Sequence, residues 1–103
     1  MVARQFDICL LRGSKSQSSK VIILQHDRFD GFKTRIVAPL ISVEMVQPTS
    51  KINPLIVVED KKYLIAFNQI STVPISLIGS IIVSAKDQQS EFISAIDMMF
   101  VGY

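Results

Sequence analysis

The sequence predicts one mainly β domain spanning residues 1–103 and closed by a single C-terminal α-helix. Three observations lead there. The length of 103 residues fits one domain. The first two-thirds is broken into short β-branched runs separated by polar turns. Beyond about residue 84 the apolar residues change to a helical period. Strands so short and so closely spaced predict a strongly bent sheet or a small barrel.

Phe6 to Leu11 is the first expected strand, followed by a polar, serine-rich loop from Arg12 to Lys20 that cannot bury itself. Val21-Ile22-Ile23-Leu24 is continuous and β-branched, as in a strand covered on both faces. His26 to Gly31 is turn-rich. Arg35 to Ile41 is extended again, and Pro39, having no N–H, predicts an edge strand or a bulge. After a loop from Gln47 to Pro54, the runs Leu55–Val58 and Tyr63–Phe67 flank Glu59-Asp60-Lys61-Lys62, which predicts a hairpin with a four-residue turn. Thr72–Ile75 and Ile81–Val83 are short further segments, and no internal repeat is visible.

The tail predicts a helix. Ser84 is placed to cap it, and Asp87 favours its positive end. At about 100° per residue, Phe92, Ile93, Ala95, Ile96, Met99 and Phe100 share an arc, with Glu91, Ser94 and Asp97 opposite. That arc is expected to pack on the sheet. Met98 and Val101 project toward the polar side, and Gly102 is suited to end the helix in a left-handed conformation. A tip exposing Met98, Val101 and Tyr103 is a candidate interface, weighed against simple fraying of a chain end.

Composition narrows the function. With 49% hydrophobic and 19% charged residues, the chain holds more apolar side chains than a monomer of this size needs inside. That surplus points to a homodimer or a protein-binding face. The net charge of +2 comes from cations scattered along the chain, without the cluster that nucleic-acid binding requires. Cys9 stands alone, so it is expected as a small buried hydrophobe, with no intramolecular disulfide and no thiolate metal site. The start of the sequence lacks the apolar core of a signal peptide, and no run of 18 apolar residues occurs, so a cytoplasmic protein without a membrane span is expected.

Catalytic motifs are missing. His26 is the one histidine, and His26-Asp27 fits a solvated turn better than a catalytic pair. The four glycines form no phosphate loop, no residues take metal-ligand spacing, and Asp87 and Glu91 fit a solvated helix face. A non-enzymatic protein without cofactor or metal is expected.

Four segments carry a family resemblance. The ending Ala95-Ile96-Asp97-Met98-Met99-Phe100-Val101-Gly102-Tyr103 is similar to the Ala-Ile-Asn-Leu-Met-Phe-Trp-Gly-Ile that ends toxins of the CcdB family. Leu24–Asp30 resembles that family's Val-Gln-Ser-Asp-Ile-Ile-Asp. Arg35–Leu40 resembles its Arg-Met-Val-Ile-Pro-Leu, and Ser71–Gly79 its Ala-Ser-Val-Pro-Val-Ser-Val-Ile-Gly. The segments fall in the same order over essentially the whole chain.

The resemblance implies an SH3-like small barrel of the CcdB/MazF/Kid type with a C-terminal helix, forming a dimer. It implies a toxin of a type II toxin–antitoxin system, bound by a CcdA-like antitoxin, that binds the DNA gyrase A subunit and traps the gyrase–DNA cleavage complex. Plasmid maintenance and transcription regulation belong to the same implied setting, with DNA met only through gyrase or the antitoxin. Carried over residue by residue, the gyrase-binding set becomes Arg28, Phe29, Asp97, Phe100, Val101, Gly102 and Tyr103, and the dimer interface Met98, Met99 and Phe100. Arg28-Phe29 stands where the family has Ile-Ile, Asp97 where it has Asn, and Val101-Gly102-Tyr103 where it has Trp-Gly-Ile. A second reading is an endoribonuclease on the related MazF/Kid barrel. Those relatives carry an Arg-Pro pair that this chain lacks, and His26 and Arg35 are the residues on which cleavage would be tested. A third is a diverged homologue without gyrase-poisoning activity.

Overall fold

The computed structural model describes residues 3–13, 19–44 and 52–102. Seven strands precede one helix: β1 Asp7–Leu11, β2 Lys20–Ile23, β3 Thr34–Ser42, β4 Leu55–Val58, β5 Lys61–Ile65, β6 Ser71–Pro74, β7 Ile78–Ser84 and α1 Gln89–Val101. They form an antiparallel sheet ordered β4-β5-β3-β2-β1-β7, with β6 also on β3. The architecture is the expected one, a half-barrel of antiparallel strands with a C-terminal helix that fits a small barrel fold.

Each face of the sheet carries its own core. Phe6, Ile8, Ile22, Ala38, Ile65 and Phe67 meet Phe92 and Ala95 of α1 on one face. Cys9, Val21, Ile23 and Val37 lie on the other, closed by Val73 of β6 and by Ile78 and Ile81 of β7. The unbroken apolar run of β2 therefore serves both faces, as its composition predicted. Strand β1 pairs with β2 on one side and β7 on the other, joining Asp7 to Ser84 and Ile8 to Val83.

Strand β3 departs from expectation. Pro39 lies in neither an edge strand nor a bulge, because β3 is paired on both sides. β2 takes one side, and on the other the partner changes from β6 at Thr34–Val37 to β5 at Leu40–Ser42. Pro39 sits at that seam, and its carbonyl accepts from Ala66 N at 2.9 Å. The missing N–H thus falls where one partner strand has ended and the next has not begun.

Other boundaries shift for local reasons. Leu24 lies just beyond β2. The hairpin turn has two residues rather than four: Val58 pairs with Lys61, and Glu59 and Asp60 both take positive φ, 53° and 66°. Phe67 leaves β5 for a one-turn 3-10 helix, Phe67–Gln69, which turns its ring onto Phe92. Of the loops expected at 12–20 and 47–54, residues 14–18 and 47–51 lie outside the described residues.

The helix begins later than expected. β7 runs through Ser84, a 3-10 turn covers Lys86–Gln88, and α1 starts at Gln89. Ser84 Oγ accepts from Lys86 N at 3.4 Å instead of capping α1. Asp87 and Glu91 are exposed, as a solvated face predicts. The packed arc is also narrower. Phe92 and Ala95 are buried, whereas Ile93, Met99 and Phe100, expected against the sheet, are exposed. Met98, expected outward, is half-buried. Ile96 still packs on the core as a half-buried residue, whereas Phe100, one turn further on, stands clear of it.

Candidate functional site

Gly102 ends α1 as its sequence position predicted, with φ 89° and its amide donating to Met98 O at 3.0 Å. The turn it terminates presents Asp97, Met99, Phe100 and Val101 to solvent. Phe100 is 70% exposed and Val101 59%, a large apolar area for a site that no strand covers. Tyr103 lies outside the described residues.

Beside this tip is an open cavity of about 260 Å³ lined by Leu24, Gln25, Ile36, Ile70, Ile96 and Phe100. Ile96 and Phe100 face it together because they are four apart on the helix. Ile36 reaches it from β3, Ile70 from the residue before β6, and Leu24 and Gln25 from the end of β2. Gln25 is the polar member of this wall, and its Nε2 donates to Phe29 O at 2.8 Å. That bond ties the cavity to the next turn.

The turn is a 3-10 helix, Asp27–Phe29, capped by His26, whose Nδ1 accepts from Arg28 N at 2.9 Å. Asp27 is turned toward the N-terminal segment. Its Oδ1 accepts from Gln5 N at 2.8 Å, and its Oδ2 lies 3.9 Å from the Arg4 guanidinium. His26 and Asp27 therefore serve the turn, consistent with the solvated-turn reading. Arg28 and Phe29 are exposed, and the Phe29 ring lies 5.9 Å from that of Phe32 at an angle of 34°.

The sequence-predicted residues thus occupy two neighbouring elements joined through Gln25. The helix tip carries Asp97, Phe100, Val101 and Gly102, and the 3-10 turn carries Arg28 and Phe29. Sequence reasoning missed Gln25, Phe32 and Ile36. Two phenylalanines inside the polar run Phe29-Asp30-Gly31-Phe32 were a usable signal, since a solvated turn has no need of them.

Elsewhere, reactive groups are committed to structure. Cys9 is buried as expected, and burial, with the nearby charge of Asp7 second, pushes its thiol up to about 11. Arg35 is only 5% exposed and donates to three main-chain carbonyls. Among the described residues no helix is long and apolar enough to cross a membrane.

Comparison with known proteins places this geometry. Two solved structures share the fold. An endoribonuclease in complex with its cognate antitoxin, from a mycobacterial species, superposes with a TM-score of 0.77 at 11% identity, covering 98% of this chain and 96% of its own. A second mycobacterial endoribonuclease gives 0.71 at 9% identity, covering 95% and 90%. No curated protein sequence matches. The family model described as CcdB protein matches residues 5–102, which takes in the half-barrel, the 3-10 turn, the cavity and the helix through Gly102. The chain belongs to the CcdB family.

Proposed function

We propose that the protein is the toxin of a type II toxin–antitoxin pair and acts without catalysis, by binding the A subunit of DNA gyrase and trapping its cleavage complex with DNA. The observation that carries this reading is the apolar helix tip, with Phe100 70% exposed beside an apolar cavity in a chain matched to the CcdB family over residues 5–102. A soluble monomer gains nothing from such a tip, whereas buried aromatic anchors dominate protein interfaces. Phe100, Val101, Gly102 and Tyr103 are the proposed centre of the gyrase-facing surface, with Asp97, Arg28 and Phe29 around it. Met98, Met99 and Phe100 line the proposed two-fold dimer contact. Family membership, and the antitoxin bound to one structural neighbour, support a CcdA-like antitoxin as the second partner. A cytoplasmic location follows from the target.

Calorimetric titration of the protein into the A subunit of the gyrase from its own cell tests the reading. Micromolar or tighter binding is expected, together with drug-like accumulation of cleaved DNA in the full gyrase reaction. Absence of both removes gyrase as the target.

One observation favours a ribonuclease instead: both fold neighbours are described as endoribonucleases. Against it, Arg35 is buried among carbonyls and His26 Nδ1 is occupied by the Arg28 amide. Incubation with RNA decides between the two. Cleavage lost in Arg35→Ala or His26→Ala protein that remains folded would establish the ribonuclease reading.

A further inference from the structure

The turn that presents Phe29 and Phe32 has no apolar anchor of its own. Every side chain from Arg28 to Thr34 is exposed, and the 3-10 turn contains no buried residue. Its shape must therefore come from polar contacts. Local main-chain bonds contribute, such as Phe32 N to Phe29 O at 3.2 Å, but they are solvent-exposed and weak on their own.

The strongest contacts come from one residue that follows the turn. Arg35 is the second residue of β3, and its stem lies on the face it shares with Val37. Its guanidinium folds back over the preceding residues. Nη1 donates to Phe32 O at 2.7 Å and Thr34 O at 2.8 Å, and Nη2 donates to Asp30 O at 2.9 Å. All three acceptors are main-chain carbonyls of the segment that holds the two aromatic rings. One of them has a particular need. Ile75 N donates to Lys33 O, so Thr34 and Pro74 are a non-hydrogen-bonded pair and the Thr34 carbonyl faces the β2 side, where β2 has ended at Ile23; Arg35 supplies the donor there.

This arrangement suits a guanidinium and no other side chain. Its fixed planar fork spans carbonyls on successive turns, while a lysine ammonium is a point donor at the end of a flexible stem. A charge buried to this degree loses much of its hydration, and hydrogen bonds to the charged group are what offset that loss. The same three bonds bring Asp30, Phe32 and Thr34 into one fixed relation, and Gln25 fixes Phe29 from the other side.

We infer that Arg35 is a positioning residue for partner binding: it holds the turn at residues 28–34 in the one conformation that offers Phe29 and Phe32 to the partner. This rests on the gyrase-binding reading above for the identity of the partner, but not for the conformation of the turn. Arg35 itself is too buried to touch a partner, so its effect on affinity passes through the two rings.

A double-mutant cycle with hydrogen exchange tests this. Arg35→Lys keeps the charge and loses the fork. Its affinity for the gyrase A subunit is expected to fall about tenfold, while exchange at the amides of Asp30 and Phe32 speeds up and the amides of β2 and β3 that pair with each other stay protected. In protein already carrying Phe29→Ala and Phe32→Ala, adding Arg35→Lys is expected to cost no further affinity. A merely structural arginine would lower global stability and leave the affinity of the folded fraction unchanged, which overturns the proposal. So does an equal, additive loss in both backgrounds. If Arg35→Lys does not fold, Arg35→Gln with the same affinity and exchange readouts replaces it. If the unaltered protein does not bind gyrase, the functional reading falls by itself, and unchanged protection of Asp30 and Phe32 in Arg35→Lys protein still refutes the conformational claim.

Discussion

The ring of Phe6 packs against that of Phe92 with 5.4 Å between centroids, and Phe6 reaches this contact from a φ of 66°. Its N–H donates to Ile23 O at 2.6 Å and its carbonyl accepts from Ala85 N at 2.8 Å. A left-handed aromatic residue is uncommon and strained. Here the bonds to both neighbouring segments, and the ring contact, hold it. Phe92 also meets Phe67 edge-on at 6.2 Å, so one helical side chain joins α1 to the segment before β1 and to the turn after β5.

Phe92→Ala is therefore expected to cost about 3–5 kcal/mol, because it opens a cavity among three rings. The fall in urea midpoint at constant slope measures it. A loss under 1 kcal/mol would mean that α1 is docked by other contacts.

The β4–β5 turn carries avoidable strain. Glu59 and Asp60 both take positive φ in a two-residue connection, a geometry that Asn-Gly adopts far more readily. Glu59→Asn with Asp60→Gly is expected to raise stability by about 1 kcal/mol without altering partner binding. Thermal melts and calorimetry check the two halves of that statement.

Gly79 lies where β7 passes close to β1. A Cβ placed there would stand 2.9 Å from the main-chain oxygen of Leu10, an atom that cannot move aside. Gly79→Ala is expected to destabilise by about 1–3 kcal/mol and to speed exchange at β1 amides.

Cys9 has a thiol raised from 9.0 to about 11 by burial and the charge of Asp7. The folded form holds its proton more tightly than the unfolded form, so this contribution is complete below pH 9.0 and is lost as pH rises toward 11. Over that window the native protein is expected to lose about 2 kcal/mol more than Cys9→Ala protein does. At pH 8 a thiol reagent should label Cys9 only at the rate of unfolding.

At the helix tip, removing residues 101–103 is expected to leave the circular dichroism spectrum nearly unchanged, since the buried positions of α1 are Phe92 and Ala95. Gyrase binding should be abolished. Val101→Trp should strengthen it by about 1–3 kcal/mol. Unchanged affinity after the truncation moves the binding surface elsewhere.

Much of this was legible in the residues. The β-branched runs at Val21–Ile23 and Leu55–Val58 predicted strands, and Gly102 predicted the left-handed end of α1. The faces of α1 were only partly legible, because a helical wheel assumes a layer beneath every turn and here it stops after Ile96. Pro39 was not, since its place depends on which strands flank β3. Glu59 and Asp60 do not announce positive φ. The role of Arg35 required knowing that its guanidinium folds back onto the carbonyls of Asp30, Phe32 and Thr34, which no spacing in the sequence announces.

The pairing of β1 with β7 has a consequence for biosynthesis. Asp7 finds Ser84, and Phe6 finds Ala85, only after the intervening chain has left the ribosome, ~4–15 s later at ~5–20 residues per second. Until then the nascent β1–β2 hairpin keeps one edge open, with Ile8 and Cys9 unshielded on its two faces. Chaperones and neighbouring nascent chains compete for that edge, so slower translation of the segment before β7 should lower the yield of folded protein.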